Sequence, residues 1–406
     1  MARALPFRST ALALGFASSL VTAAAQAPPT VRTAVGYEFG IRISFAATIL
    51  STSHVTRAAV FYRPEGSSHA DVLVADLVPG SPTVAQADQD LRVRPLPPFQ
   101  TVEYWWQVDF ADRSTVVTPL QGVRYEDDRF TWQFLAEGPF TVHWSEGDLA
   151  FARGGLDAAA AGLERTRTWL LPDPTRPVAI YVYPDVASLE AGLARTGRSW
   201  AAGHSDPSLS VILVPVAPTP ESGQDFERLI PHELAHLLLF ERAGAAYGQI
   251  PGWVNEGLAT NMELSPDPRY RASLDQAIEQ HAWLSLESIC AGFPTSGEAA
   301  LLAYAESASL VGYLRDAYGI GSIHALLDAY QEGASCTGGL ERVLRRTTQV
   351  FETEWATSLR AGPAGDASPT VLFGIGAAAG LIILVTLSLL ARRRHSKSAT
   401  PPPDEP

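Results

Sequence analysis

Cysteine, methionine and charge are all scarce in this chain. Of its 406 residues, 2 are Cys and 2 are Met, and charged residues make up 18%. No C-x-x-C pair occurs, so nothing supports a zinc site built from cysteines. Bases are the minority, with 30 Lys and Arg against 43 Asp and Glu, a formal net charge of −13. Some of those bases stand at the chain ends (Arg3, Arg8, Arg392, Arg393, Arg394 and Lys397), which leaves the stretch between them more acidic still. So acidic a body argues against nucleic acid as a partner, because phosphate binding rests on clustered Lys and Arg. The 46% apolar content excludes wholesale disorder, and the length suggests two or three folded units.

What is present begins with two apolar end segments. Residues 1–27 read as a secretory signal peptide: Arg3 and Arg8 open it, Ala11–Ala25 is a short apolar core, and Ala23-Ala24-Ala25 offers a cleavage site. The alternative is an uncleaved anchor helix, although the apolar core falls short of the ~20 residues a span needs. Residues 370–391 carry no charge and are long enough to cross a bilayer as one C-terminal transmembrane helix. Arg392–Arg394 follow at once, which places the tail 392–406 in the cytoplasm and the body outside the cell, on a cell membrane. Cys290 and Cys336 both fall in the exported part, where an oxidising compartment favours a disulfide over two free buried thiols.

The body divides near residue 137, into a β domain (28–137) and a second domain (138–360), followed by an Ala-Gly-Pro linker (361–369). In the first, Phe39, Ile41, Ile43 and Phe45 alternate with polar or small residues, as do Val102, Tyr104, Trp106, Val108 and Phe110. That period of two marks half-buried strands. With shorter runs at 58–62, 71–77 and 115–120, the pattern suggests an immunoglobulin- or fibronectin-like β-sandwich. The second domain mixes strands at 140–144, 178–183 and 209–216 with helices at 148–171 and 186–195. Beyond residue 222 it is almost all helix. The fold class is therefore α+β, a sandwich followed by a small sheet with a helical part. Strand 209–216 is a candidate edge for pairing with an extended substrate, and His204 just before it is a surface histidine or a substrate contact.

The chemistry concentrates at 232–256. His232-Glu233-Leu234-Ala235-His236 is an H-E-x-x-H motif. On a helix the two histidines lie about 40° and one turn apart, so their rings project the same way and can share one metal ion. Glu233 then stands near the ion's open position, where it can take a proton from water. A hydrolytic zinc site needs three protein ligands. Glu256, in the apolar segment Trp253-Val254-Asn255-Glu256-Gly257-Leu258-Ala259, supplies the third from a second helix, since an unpaired acid there would be costly to bury. Pro231, directly before His232, means that the helix starts there or kinks.

These two motifs together resemble the gluzincin metallopeptidases, the clan of thermolysin and the M1 aminopeptidases, and in particular the bacterial peptidase MA-like proteins. The resemblance covers residues 138–360. It implies one Zn2+ per chain held by His232, His236 and Glu256, with Glu233 as general base and a peptide or protein as substrate. The downstream helix Tyr304-Ala305-Glu306-Ser307 to Tyr318-Gly319 resembles the one carrying the catalytic tyrosine in M1-like enzymes. On that match Tyr304 steadies the oxyanion, with Tyr313 and Tyr318 as competitors. Two departures stand out. A G-A-M-E-N strand is absent, since Met1 and Met262 are the chain's methionines, so the resemblance points to endopeptidase rather than exopeptidase action. Thr260 stands where thermolysin-like enzymes place the Asp that orients a histidine. The expected function is a membrane-anchored extracellular zinc metallopeptidase. The alternative is a non-catalytic surface binding or adhesion module on the same scaffold, for which Glu233 would have no use.

Overall fold

A computed structural model describes residues 28–195, 204–207, 209–294 and 297–360. The expected leader 1–27, linker 361–369, span 370–391 and tail 392–406 lie outside the described residues. Among the described residues no helix is long and apolar enough to cross a membrane. These residues form two compact units, the first made of 28–131 with 190–195 and the second of the remainder.

The first unit contains β1 (Thr30–Glu38), β2 (Arg42–Leu50), β3 (Val55–Pro64), β4 (Asp71–Val74), β5 (Asp76–Val78), β6 (Thr83–Asp90), β7 (Gln100–Phe110), β8 (Thr115–Val117) and β9 (Gln121–Tyr125). They make two antiparallel sheets, ordered β1-β2-β6-β5 and β4-β3-β7-β8, with β9 also on β7. Alternation places Ile43, Phe45, Ala47 and Ile49 of β2, and Val102, Tyr104, Trp106, Val108 and Phe110 of β7, in the interior. The Phe45 ring lies 5.3 Å from Tyr62 and 5.5 Å from Tyr104, so the sheets face one another across an aromatic core. One expectation needs correcting: the alternation from Phe39 to Phe45 is not a single strand. Residues 39–41 turn the chain between β1 and β2, and Ile41 N–H donates to Glu38 across that turn at 2.9 Å.

The second unit contains β10 (Gln133–Glu137), β11 (Phe140–Trp144), α1 (Leu149–Thr168), β12 (Val178–Tyr183), part of α2 (Val186–Arg195), β13 (His204–Asp206), β14 (Val211–Pro215) and α3 (Ser222–Ala243). After these come α4 (Gly252–Met262), α5 (Pro268–Gln280), α6 (Leu286–Ala291), α7 (Gly297–Tyr318), α8 (Ile320–Gln331), α9 (Cys336–Leu344) and α10 (Thr348–Arg360). Its sheet runs β10-β11-β12-β14-β13, with β11, β12 and β14 parallel and an antiparallel strand at each side. The 209–216 segment is thus an interior strand, because β13 takes its outer side; among the described residues the edge on this side of the sheet is His204–Asp206, and β10 is the edge on the other.

Helix α1 starts where the Asp148 carboxylate accepts from Phe151 N–H, and Arg165 and Arg167 in its last turn suit the helix dipole. It lies along α3, the helix of the H-E-x-x-H motif. Pro231 neither starts nor ends α3, which runs from Ser222 to Ala243 with the proline inside it. The proline ring is accommodated because Gly162 of α1 faces it: a Cβ at 162 would stand 2.9 Å from the ring. Helix α4 meets α7 just as closely. A Cβ at Gly257 would stand 2.5 Å from the Ser307 carbonyl oxygen, so a residue larger than glycine would push the two helices apart. One apolar core joins these elements, from Val142, Ile180 and Ile212 of the sheet to Leu234, Leu238, Trp253, Leu258, Leu310 and Trp355 of the helices.

Candidate metal centre

Helical geometry brings His232 and His236 to one face of α3, with ring centroids 5.0 Å apart. Glu256 approaches from α4. Its Oε2 lies 3.4 Å from His232 Nε2 and 3.5 Å from His236 Nε2, and the three ligand-type atoms all fall within 4.8 Å of one another. Two donors each about 2.1 Å from one tetrahedral ion stand about 3.4 Å apart, so the donor set fits a single ion. A second observation agrees: Glu256 Oε2 is buried and has no hydrogen-bond partner, a costly state that a cation at this point would relieve. Glu233 is buried on the same helix at 5% exposure, beside the cluster.

The electrostatics describe a pocket rich in carboxylate. Burial alone would lower the His232 pKa, but the carboxylates of Glu256 and Glu263 beside it lift it to about 10. His236 rises as well, its burial outweighed by the charge of Glu256. Burial pushes Glu256 up, yet His236 and His232 hold it well below the usual carboxylate range. Glu233, Glu256 and Glu263 together surround two imidazoles, an environment that favours a divalent cation.

Both histidines are held at their other ring nitrogen. His232 Nδ1 lies 3.0 Å from Glu263 Oε1, and His236 Nδ1 lies 2.8 Å from Asn255 Oδ1. Asn255 in turn donates from Nδ2 to the Tyr247 hydroxyl at 3.0 Å. These bonds fix each ring with Nε2 turned toward Glu256. Thr260, one turn past Glu256, takes no part. The orienting acid is Glu263, seven residues on, about two full turns of α4 and hence on the same side as Glu256. Neither Asn255 nor Glu263 stands out in the sequence, although that spacing is a signal that points to Glu263.

Tyr304 of α7 reaches the same place. Its ring centroid is 6.1 Å from that of His232 and 5.6 Å from Phe293. Burial, then the charges of Glu256 and Glu233, raise its hydroxyl pKa far above normal, so it stays a proton donor. Its competitors are elsewhere. Tyr313 and Tyr318 pack on Phe351, and Tyr318 donates to Glu354 at 2.8 Å. Cys290, near the end of α6, and Cys336, opening α9, form a disulfide with a Cα–Cα distance of 5.8 Å. They sit within helix ends rather than in the loops beside them.

Two histidines a turn apart, an acid from a crossing helix and a buried carboxylate beside them define a candidate metallohydrolase centre on a small mixed sheet with helices. Residues 158–361 match the family model of the Peptidase MA superfamily, and the chain belongs to that superfamily. Within the matched residues, His232, His236 and Glu256 form a group able to hold a metal. No curated protein matches the chain. Among solved structures it is similar to a purple acid phosphatase from yellow lupin (Lupinus luteus) seeds at 9% identity, covering 47% of this chain and 35% of that one with a TM-score of 0.21. It is also similar to a cycloalternan-degrading enzyme from Trueperella pyogenes at 17% identity, covering 27% of this chain and 13% of that one with a TM-score of 0.17. The chain thus spans about a third or less of those proteins, and likeness of this degree carries no functional argument.

Proposed function

We propose that the protein is a gluzincin-type zinc endopeptidase, held at a bacterial cell surface by one C-terminal helix, that hydrolyses peptide bonds outside the cell. One observation carries the catalytic part: the ligand atoms of His232, His236 and Glu256 lie within 4.8 Å of one another, and the buried Glu256 Oε2 among them has no hydrogen-bond partner. The donor set of two imidazoles and one carboxylate suits zinc with an open coordination position. When bound, zinc supplies Lewis acidity toward a carbonyl oxygen and toward water. Glu233 takes a proton from the attacking water and passes it to the leaving amine. Tyr304, kept protonated by burial and neighbouring carboxylates, donates a hydrogen bond to the oxyanion. Glu263 and Asn255 hold the imidazoles in place by accepting from their Nδ1 hydrogens. The open edge of β13 offers backbone groups to an extended substrate, with main-chain pairing setting its direction.

The anchoring part rests on sequence alone, on the uncharged run 370–391 and the arginines after it. Purified full-length protein should contain one zinc per chain and cleave a denatured protein, and the Glu233→Gln variant should keep the zinc and lose cleavage. A metal-loaded wild-type protein that cleaves no peptide at all would favour a binding module instead.

A further inference from the structure

The proline before His232 has no place in the mechanism, yet its surroundings are specific. Lacking an N–H, Pro231 cannot bond the carbonyl four residues back in the helix, that of Glu227, and its ring pushes that carbonyl outward. The Glu227 carbonyl is nevertheless satisfied, because Leu264 N–H donates to it at 2.9 Å. Leu264 directly follows Glu263, whose carboxylate holds His232 Nδ1 at 3.0 Å. One missing hydrogen bond in α3 therefore opens an acceptor that the chain leaving α4 fills. The residue next to the filled site is the acid that orients the first histidine.

Other contacts converge on the same join. Glu263 N–H closes the end of α4 on the Thr260 carbonyl at 3.3 Å, and Arg165 of α1 donates to the Asn261 carbonyl at 2.7 Å. Gly162, also on α1, leaves room for the Pro231 ring. Any other residue at 231 would offer its own N–H to Glu227, a local bond made as the helix forms. Leu264 would then have to share that oxygen.

We infer that Pro231 is a positioning residue: by vacating the Glu227 carbonyl it docks Leu264 on α3 and so sets the Glu263 carboxylate against His232. The inference rests on the reading of His232 as a metal ligand. It is tested on the full-length chain with Pro231→Ala and Pro231→Val, both of which restore the N–H, the second keeping apolar bulk against Gly162. Leu264→Pro, which removes the donor without touching α3, is the independent variant.

Amide exchange of the metal-free chain should show Leu264 protected in the wild type and at least about tenfold faster in the Pro231 variants, with the core amides of α3 still slow. Chelator competition should show zinc affinity falling about 10- to 100-fold in all three variants, the usual loss when a ligand's orienting partner is disturbed. In a Glu263→Gln background the Pro231 changes should add less than about twofold, because their effect passes through that carboxylate. Unchanged Leu264 protection, or a full further loss of affinity in the Glu263→Gln background, would overturn the inference. A wild-type chain that takes up no zinc would instead defeat the metal reading, while Leu264 exchange would still decide the docking.

Discussion

Glu263 Oε1 lies 3.0 Å from His232 Nδ1, and it reaches there from the C-terminal cap of the helix that also carries Glu256. An orienting acid raises the basicity of a ligating imidazole and fixes its ring. The Glu263 carboxyl is buried to 2% exposure, and burial, partly countered by His232, pushes its pKa up. Glu263→Gln keeps the shape but removes the charge, and is expected to weaken zinc binding about 10- to 100-fold. Chelator competition measures this; an affinity within twofold of the wild type would show that Glu263 does not orient the ligand.

The three ligands should behave differently from their neighbour. His232→Ala, His236→Ala and Glu256→Ala should each abolish tight zinc binding, since two donors cannot hold a catalytic ion. Glu233→Gln should bind zinc like the wild type and lose at least about 10²-fold in kcat, because it removes the proton acceptor alone. Metal content by elemental analysis beside single-substrate kinetics separates the two groups. A fully active Glu233→Gln protein would remove Glu233 from the mechanism.

Glu306 gives a pH prediction outside the metal cluster. It is fully buried on α7 and accepts Leu284 N–H at 3.0 and 3.1 Å, while Glu352 accepts Leu286 N–H nearby at 2.6 Å. Burial, moderated by the Leu284 bond and reinforced by Glu352, raises its pKa from 4.5 to about 8. The folded state therefore keeps a proton that the unfolded chain has already lost. Between those two values stability falls as pH rises, and beyond the upper one it levels off. The loss attributable to this group is on the order of a few kcal/mol. Glu306→Gln should flatten that slope and exceed the wild type in stability above pH ~8. Denaturant melts across the range test this, and parallel slopes for the two proteins would count against it.

Parts of this molecule are readable without coordinates because they obey short-range periodicity. The strand of Val102 to Phe110 and the helical spacing of His232 and His236 are set by local backbone geometry, and both survive into the fold. Pro231 shows the reverse. Its local propensity argues for a helix boundary, but packing against Gly162 and the bond from Leu264 to Glu227 keep it inside α3. Such compensation comes from residues far away in sequence. Glu263 was hidden for a similar reason: an orienting acid one turn past Glu256 would be expected, and the chain places it two turns past. The turn at 39–41 was masked because Phe39 stays buried at 1% exposure, so its apolar character imitates strand alternation.

Topology is testable in cells. With Arg392–Arg394 retained on the cytoplasmic side, an epitope placed after Ser396 should be protected in intact cells. The unit bearing His232 should be removed by protease added outside. Protection of that unit in unbroken cells, with digestion only after lysis, would place the protein inside and defeat the surface reading.

The disulfide between Cys290 and Cys336 offers a test that joins the proposed export to the proposed catalysis. It closes a loop of 46 residues by sequence separation, which the chain-entropy model values at about 4 kcal/mol. It ties α6 to α9, and three residues past Cys290 the Phe293 ring meets Tyr304 at 5.6 Å. Phe293 also presses on the start of α4, where a Cβ at Gly252 would stand 3.1 Å from it. Freeing Cys290 should therefore loosen Phe293 and, through it, Tyr304, the proposed oxyanion donor. The Cys290→Ser/Cys336→Ser protein is expected to lose stability by up to about 4 kcal/mol and to lose kcat more than KM, with zinc affinity little changed. Kinetics should be read well below the variant's melting point, so that unfolding does not imitate the effect. A variant that is destabilised but keeps its full kcat would confine the disulfide to stability, and labelling of both thiols in unreduced, denatured native protein would show that the bridge does not form.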